Sequence, residues 1–275
     1  MSAAAWSDYW AQAAHGACLP ETPAVRGRLA QAWGQWAAAL APGAAVLDLA
    51  CGKGEVAHRL LDARPDLRLT GVDAARIAAS AREGLTLLDR TPLEALPFDQ
   101  PRFDAAASQF GVEYADPTAV GPRLAAALHP GAPLLFIAHH ARSAVVQDTA
   151  ERAAVLDALA DAGVAAAFEA GDRPALVSAV LAVRAAHPRH ARLVDEIARG
   201  LGQAIVAGTD RADIWQGFLA KARTERAIAA ALQRAAVDDA EAWLARFGPQ
   251  VAAGRCRVIE VAGAPVAWQC HAVRA

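Results

Sequence analysis

Short apolar runs alternate with helical stretches through the first half of the chain. The apolar runs lie at residues 46–50, 67–73, 84–88, 103–110 and 132–140. Runs without polar alternation are typical of strands that are buried on both faces of a parallel sheet. Between them, residues 55–63 (EVAHRLLDA) and 75–83 (ARIAASARE) have the composition and spacing of helices. Right-handed crossovers between such strands predict a doubly wound α/β fold.

The pattern becomes helical in the second half of the chain. Residues 143–253 contain several helical stretches and no convincing strand, and two strand-like runs around Ala262 and Gly263 then indicate a hairpin. The hairpin would complete a mostly parallel, seven-stranded sheet after a large helical insertion. The sequence thus predicts an N-terminal helical lid (1–43), an α/β core (44–142), a helical insertion that serves as a lid or an oligomer interface (143–253) and a terminal β-hairpin (254–275).

Composition narrows the functional classes. The 275 residues are 55% hydrophobic, largely through alanine, and no run approaches the ~18 apolar residues of a membrane span. The N-terminal residues lack the basic region of a secretory signal, so we expect a cytoplasmic protein without membrane contact. A formal net charge of −2 without a basic run argues against nucleic acid as a partner. The four cysteines have no metal-ligand spacing, and we expect Cys256 and Cys270 to be free thiols.

The strongest chemical signal is VLDLACGKGEVA at residues 46–57. Asp48 stands near the end of the first strand, and Gly52 and Gly54 shape a tight turn into a helix. Glycines let the backbone approach a ligand closely. Asp73 ends the next strand, 19 residues after Gly54, where a carboxylate can accept hydrogen bonds from both ribose hydroxyls. These features predict an adenosine pocket at the carboxyl edge of the sheet.

Two kinds of adenosine cofactor must be distinguished. GKGEVA also fits the dinucleotide fingerprint G-x-G-x-x-A. However, the Asp48 carboxylate would repel a pyrophosphate at this turn, whereas it is compatible with the cationic methionyl end of S-adenosylmethionine. The sequence therefore favours S-adenosylmethionine. An NAD(P)-dependent oxidoreductase, a non-catalytic protein that binds an adenosyl ligand and, more remotely, an aminopropyl transferase are the alternatives.

Residues 44–140 resemble the class I, Rossmann-like S-adenosylmethionine-dependent methyltransferases. The matching segments occur in order: DLACGKG, GVD, EALPF followed by FDAAASQF, and LHPGAPLLF. The resemblance implies that the glycine loop holds the methionine moiety, through Asp48, Ala50, Cys51, Gly52 and Gly54. It also implies a cofactor site that is completed by Asp73 at the ribose, Ala74 beside the adenine, and Leu93, Ser108 and Gln109.

The chain departs from this family at the adenine site. Members often have an acidic residue five positions before the proline of LPF, where it binds the adenine amino group. Here that position is Pro92, which cannot make this contact. Adenine would then depend on the Leu93 backbone amide and on apolar walls.

The acceptor should lie beyond the carboxyl ends of the central strands. The catalytic candidates there are Glu113, Tyr114, His139 and His140. Methyl transfer requires in-line placement, and it requires a base only if the acceptor must lose a proton. Either histidine could be that base or a structural residue at a strand end. Glu113 could bind a cationic acceptor amine or be a solvated charge.

Segments from both ends of the chain are expected to border the acceptor. Trp6, Tyr9 and Trp10 could fold over the cofactor or merely pack a terminal helix on the core. We expect a small-molecule acceptor, either a metabolite or a natural product, enclosed by helices from both ends of the chain, and a homodimer is one expected assembly.

Overall fold

The structure is a computed structural model that describes residues 6, 7, 10, 11 and 22–275. The chain divides into two compact units. The first comprises Met1–Val146 and Leu232–Ala275, and the second comprises Gln147–Ala231. The sheet and the candidate site lie in the first unit.

The first unit is built on a seven-stranded sheet with the order β3-β2-β1-β4-β5-β7-β6. The strands are β1 (Ala45–Leu49), β2 (Arg68–Val72), β3 (Leu85–Leu88), β4 (Ala105–Gln109), β5 (Pro133–His139), β6 (Val251–Val261) and β7 (Ala264–Arg274). Strands β1 to β5 are parallel, while β7 runs antiparallel to β5 and β6 runs antiparallel to β7. The predicted fold class is confirmed. The strand order reverses between β1 and β4, so ligands are expected at their carboxyl ends.

The described helices alternate with these strands and fill the long connection before β6. They are α1 (Pro23–Ala38), α2 (Glu55–Ala63), α3 (Pro117–Ala127), α4 (Ala144–Leu159), α5 (Ala162–Ala170), α6 (Arg173–Ala186), α7 (Ala191–Ala207), α8 (Arg211–Ala235) and α9 (Ala240–Ala245). Helix α1 begins where Thr22 accepts a hydrogen bond from the Val25 amide, and Asp116 caps α3 through the Thr118 amide.

Each face of the sheet carries its own apolar core. On one face Trp33 and Trp36 of α1 and Leu60 of α2 pack against the sheet. On the other face Leu124 of α3 and Trp243 of α9 cover the strands. This two-sided burial explains why the parallel strands are apolar without alternation.

The terminal hairpin turns at Ala262 and Gly263, whose φ angles are 51° and 76°. Two consecutive residues with positive φ characterise the type I′ turn, which matches the twist of a hairpin. Cys256 and Cys270 lie directly opposite each other on β6 and β7, and both are free thiols. Strand β6 begins at Val251, earlier than the hairpin boundary predicted at residue 254.

The predicted helix at residues 75–83 is wrong, because these residues form an irregular connection between β2 and β3. Ile77 is the one large apolar side chain of this stretch and is only half-buried. A short helix without an apolar face to bury is marginal in water. Instead, the Arg82 guanidinium fixes the segment by donating to Asp62 at 2.7 Å and to the His58 carbonyl at 3.1 Å.

The second unit is helical and has its own core. Val155, Leu159, Phe168 and Trp215 are among its buried residues. The Arg152 guanidinium joins α4 to α8 through two contacts with Glu225, at 2.6 Å and 3.2 Å. A lid or interface role for the helices of the second unit stays a prediction.

Across the described residues, no helix is both long and apolar enough to cross a membrane.

Candidate cofactor and acceptor site

The glycine loop connects β1 to α2 at the carboxyl edge of the sheet. Its residues Ala50, Gly52 and Gly54 have φ angles of 50°, 52° and 81°. Glycine adopts this left-handed region freely, whereas an alanine there is strained by about 1–2 kcal/mol. The Gly54 amide donates to the Cys51 carbonyl at 2.8 Å and closes the turn before α2 begins.

Asp73 ties the end of β2 to this loop. Its Oδ2 accepts a hydrogen bond from the Gly52 amide and its Oδ1 accepts one from the Ala75 amide, both at 2.8 Å. Burial raises the pKa of Asp73, although the two amides counteract this. Each carboxylate oxygen retains acceptor capacity for a further donor. The carboxylate can therefore serve ribose hydroxyls while it holds the loop.

Asp48 lies beneath the loop and is only 1% exposed. Neither carboxyl oxygen has a hydrogen bond of normal geometry among the residues that the structure describes, although the Ala57 amide lies near enough to act on the carboxyl group. Burial raises the pKa of Asp48 to about 8; the nearby Asp73 adds to this rise, and the Ala57 amide offsets part of it. A buried carboxyl group without a partner is costly. A cation held over the loop would stabilise its ionised form.

A cavity of about 190 Å³ opens beside Asp73 at this edge of the sheet. Its lining includes five of the predicted site residues: Ala50, Asp73, Ala74, Leu93 and Tyr114. The structure thus brings together residues from the loop after β1, the end of β2, the EALPF segment and the turn after β4.

Trp6 and Trp10 also line the cavity. A Cβ atom placed on Gly52 would lie only 2.5 Å from the Trp10 ring, so the indole rests directly on the glycine loop. The Trp6 ring packs edge-on against Tyr114, with centroids 5.1 Å apart. These contacts support the interpretation of the N-terminal aromatics as a cover for the site. Tyr9 lies outside the described residues.

Cys51 and Gly54, like Asp48 and Gly52, are not among the residues that line the cavity. Two of them, Cys51 and Gly54, face away from it. Cys51 points into the protein, since a Cβ on Gly71 would lie 2.7 Å from its Sγ, and burial raises the pKa of the thiol. Gly54 packs against Leu87 on the side of β3. Their role is to shape the loop rather than to present a side chain to a ligand.

Ser108 and Gln109 are likewise absent from the cavity lining, because their side chains are used within the protein. The Ser108 hydroxyl donates to the Leu49 carbonyl at 2.8 Å and accepts from the Val112 amide at 3.1 Å. The Gln109 side-chain oxygen accepts from the Trp33 indole at 2.7 Å. Both residues fasten neighbouring elements to β4, and their contacts with the cofactor stay a prediction.

Glu113 and His139 form a buried pair under the cavity. Glu113 Oε1 accepts hydrogen bonds from the His139 backbone amide at 2.9 Å and from His139 Nδ1 at 2.7 Å. Glu113 Oε2 and His139 Nε2 have no partner among the described residues. The imidazole lies 4.4 Å from the Phe110 ring and 6.0 Å from the Tyr114 ring, measured between centroids. Phe110 and Tyr114 line the cavity, so the pair lies one side-chain layer from it.

His140 is placed differently. Its ring stacks on Trp268 with centroids 4.9 Å apart, and its Nδ1 accepts a hydrogen bond from the Arg142 amide at 3.0 Å. Burial, assisted by Arg142, lowers the pKa of His140. His140 is not among the residues that line the cavity. From the sequence, His139 and His140 were equal candidates for the base. In the structure they have different surroundings.

Three cavity residues were not assigned to the site from the sequence: Glu94, Gly111 and Ala115. Phe110 has a φ of 57°, unusual for a bulky residue and typical of strain at functional sites. Gly111 is needed because a Cβ there would lie 2.6 Å from the Ala50 Cβ. Glu94 could have been predicted from the sequence, because it begins the EALPF segment and follows Leu93, which was assigned to the cofactor site. Within the described residues there is no cluster of three or more side chains able to hold a metal ion.

The segment that contains the glycine loop and Asp73 is similar to known proteins. Residues 46–131 match a family model described as a methyltransferase domain. Curated proteins give no match. Among solved structures, the chain is similar to a putative methyltransferase in complex with the Haloferax volcanii Trm112 activator, at 23% identity and a TM-score of 0.36. That alignment covers 42% of this chain and 56% of the other.

Two further structures are similar to the chain. An S-adenosylmethionine-dependent methyltransferase from Mesorhizobium loti is 26% identical, with a TM-score of 0.33 and coverage of 40% of this chain and 53% of the other. A structure concerning the conversion of a disulfide bond into a thioacetal group in echinomycin biosynthesis is 14% identical, with a TM-score of 0.49 and coverage of 90% and 80%. The chain thus spans about half the length of the Haloferax and Mesorhizobium structures.

Proposed function

We propose that this chain is a class I S-adenosylmethionine-dependent methyltransferase and that it transfers a methyl group from S-adenosylmethionine to a small-molecule acceptor. The observation that carries the proposal is the joining of the glycine loop to Asp73 beside a cavity, within the segment that matches the methyltransferase model.

The residues present fit this cofactor. Asp73 keeps acceptor capacity for the ribose, and Ala74 and Leu93 supply walls for the adenine. The buried carboxyl group of Asp48 suits a nearby cation. When bound, S-adenosylmethionine supplies an electrophilic methyl group on a sulfonium centre. The rings of Trp10, Phe110 and Tyr114 present aromatic faces suited to a cation and exclude water.

A small acceptor is supported by the charge and by the walls of the cavity. The chain has a formal net charge of −2 and no basic run in its sequence, and both disfavour a nucleic acid as the acceptor. Aromatic walls with few polar groups, here Glu94 and Tyr114, are typical of small-molecule sites. The unbridged Cys256 and Cys270, which face each other, suit a reducing compartment such as the cytoplasm. We also propose that two copies of the chain form a homodimer.

For an acceptor that must lose a proton, we propose His139 as the general base, rather than His140. Glu113 accepts from Nδ1 of His139, which places the proton on that nitrogen and leaves Nε2 with a lone pair. A shift of the Phe110 or Tyr114 ring would open Nε2 to the cavity. The acceptor proton would then move to Nε2, with Glu113 stabilising the resulting imidazolium.

The methyl-transfer proposal is tested with S-adenosylmethionine carrying a labelled methyl group. Purified protein is incubated in parallel with a metabolite extract, a protein lysate and tRNA, and Asp73→Ala serves as the inactive control. We expect label in the metabolite extract and none with Asp73→Ala. Salt-sensitive labelling of tRNA without labelled metabolites would contradict a small-molecule acceptor. Binding of the cofactor product without any transfer would favour a non-catalytic protein.

The base is tested with His139→Asn and His140→Asn as a matched pair. Loss of a general base lowers kcat by about 10²–10⁴-fold for an acceptor that is protonated at the assay pH. An analogue that is already ionised at that pH should be methylated nearly normally by His139→Asn. Equal losses in the two variants, or equal losses for both acceptors, would exclude His139 as the base.

A further inference from the structure

A second concave site lies along α1 and the β6–β7 hairpin. It consists of two adjoining hollows of about 440 Å³ and 310 Å³ that share Ala32, Gln35, Arg257 and Gln269. We call it the hairpin groove and define it by Arg28, Trp36, Arg255, Arg257, Gln269 and His271. As far as the chain is described, none of its lining residues also lines the cofactor cavity.

We infer that the hairpin groove binds a small organic anion with an apolar body, independently of the methyl-transfer site. The first reason is charge. Arg28, Arg255 and Arg257 bring three guanidinium groups to the groove, and none of them forms a salt bridge within the described part of the chain. Guanidinium groups offer N–H donors in a fork that suits carboxylate and phosphate oxygens. Glu260 is the one acidic residue among the described lining residues.

The second reason is that the donors are held in place. Gln269 is only 3% exposed. Its side-chain oxygen accepts from Arg257 Nε at 3.0 Å, and its amide nitrogen donates to His271 Nε2, also at 3.0 Å. Arg257 is thereby fixed through Nε, and its two terminal nitrogens remain for a ligand. Burial, together with Arg257, lowers the pKa of His271 and so favours the neutral imidazole. The contact from the Gln269 amide nitrogen to Nε2 places the proton of the neutral ring on Nδ1. The chain of hydrogen bonds from Arg257 through Gln269 to His271 therefore leaves N–H donors of Arg257 and His271 for a ligand.

The third reason is the apolar floor. Trp36, Leu40, Leu134 and Ala272 line the larger hollow. Trp36 is 5% exposed, and its indole N–H lacks an acceptor among the described residues. A volume of about 440 Å³ lies within the range of small-molecule sites. An anionic head at the arginines and an aromatic or aliphatic body on this floor would satisfy both parts of the groove.

The test uses the full chain and the probe 8-anilinonaphthalene-1-sulfonate, which joins an aromatic body to one anionic group. We expect saturable binding with energy transfer from tryptophan, and displacement by excess inorganic pyrophosphate. Arg257→Gln and Arg255→Gln should each weaken probe binding about tenfold, as expected for loss of a charge-assisted hydrogen bond. Arg68→Gln is the matched control, because Arg68 is exposed on β2 and outside the groove. Its probe affinity should equal that of the parent.

Circular dichroism establishes that each variant is folded, and light scattering records its oligomeric state. Parent-like probe affinity in both groove variants would overturn the inference, since the probe would then bind elsewhere. A change from dimer to monomer with unaltered probe binding would also overturn it, and would identify the groove as an interface between copies of the chain. Neither result depends on S-adenosylmethionine binding, so the inference is tested separately from the proposed function.

Discussion

The Asp73 carboxylate accepts a hydrogen bond from the Gly52 amide at 2.8 Å, and this contact joins the end of β2 to the loop after β1. The other oxygen of Asp73 accepts from the Ala75 amide at the same distance. The residue that is proposed to hold the ribose is therefore also a buried structural support. The cofactor pocket and the local fold depend on one side chain.

Asp73→Ala should lower both stability and ligand affinity. Two buried amides lose a charged acceptor, and a hydrogen bond to a charged group contributes about 1.5–3 kcal/mol. We expect the free energy of unfolding to fall by at least ~2 kcal/mol in urea titrations and S-adenosylhomocysteine binding to be lost. Asp73→Asn, which retains one carbonyl acceptor, should show a smaller loss of stability. An Asp73→Ala protein as stable as the parent would mean that the amides find other partners.

Gly52→Ala and Gly131→Ala form a matched pair for the glycine loop. Both glycines have positive φ, 52° and 81°, so each alanine should cost about 1–2 kcal/mol in backbone strain. A Cβ on Gly52 meets the Trp10 ring, whereas a Cβ on Gly131 meets nothing within 4 Å. Calorimetry should show weakened S-adenosylhomocysteine binding for Gly52→Ala alone. Equal affinities in the two variants would argue against ligand contact at this loop.

The sheet was predictable because parallel strands covered on both faces leave continuous apolar runs in the sequence. Residues 46–50 and 132–140 give such runs and correspond to β1 and β5. The helix predicted at residues 75–83 was wrong because alanine and arginine favour helices locally, whatever the surrounding structure. Whether a helix forms there depends on an apolar face and a partner surface, and neither can be read from a single stretch of sequence.

The loop geometry of the candidate site was predictable where the backbone demands particular residues. Gly52 and Asp73 were identified because a tight turn and a strand-end carboxylate have characteristic spacing. Ser108 and Gln109 lie at the expected edge of the sheet, but their hydrogen bonds to Leu49 and Trp33 are visible only in the fold. The same holds for His139 and His140, whose different partners are set by tertiary contacts.

Asp48 should give the ligand-free protein a distinctive pH dependence. Its pKa is about 8 in the fold against an ordinary value of 3.8, so between these values the folded state binds more protons than the unfolded state. The contribution of Asp48 to stability is therefore present below about pH 4 and decreases as the pH rises towards about 8. Urea titrations from pH 5 to 9 should show that Asp48→Asn removes this decrease. A parallel pH profile in the two proteins would contradict the raised pKa.

The same carboxyl group should couple ligand binding to proton release. A cation above the loop favours ionised Asp48, so binding of S-adenosylhomocysteine with its α-ammonium group at this place should release part of a proton near pH 7. Calorimetry in two buffers with different ionisation enthalpies measures this release. The release should disappear in Asp48→Asn.

Cys256 and Cys270 should be able to form a disulfide under oxidation by hydrogen peroxide. Residues directly opposite on antiparallel strands have Cα atoms about 4.5–5.5 Å apart, within the range of disulfides. The thiol contact lowers the pKa of Cys256 and raises that of Cys270, so Cys256 should react first. Mass spectrometry of unreduced peptides should detect the link in the parent and not in Cys256→Ser. Alkylation of Cys270 ahead of Cys256 would contradict this order.

The measurement that tests the central claim most directly is a calorimetric titration with S-adenosylhomocysteine and, separately, with NAD⁺ and NADP⁺. The account predicts saturable binding of S-adenosylhomocysteine to the parent, loss of that binding in Asp73→Ala, and no binding of either dinucleotide. A ligand at about 100 times its dissociation constant should also raise the unfolding free energy by about 2.7 kcal/mol. Binding of a dinucleotide that depends on Asp73, with no heat from S-adenosylhomocysteine, would contradict the account.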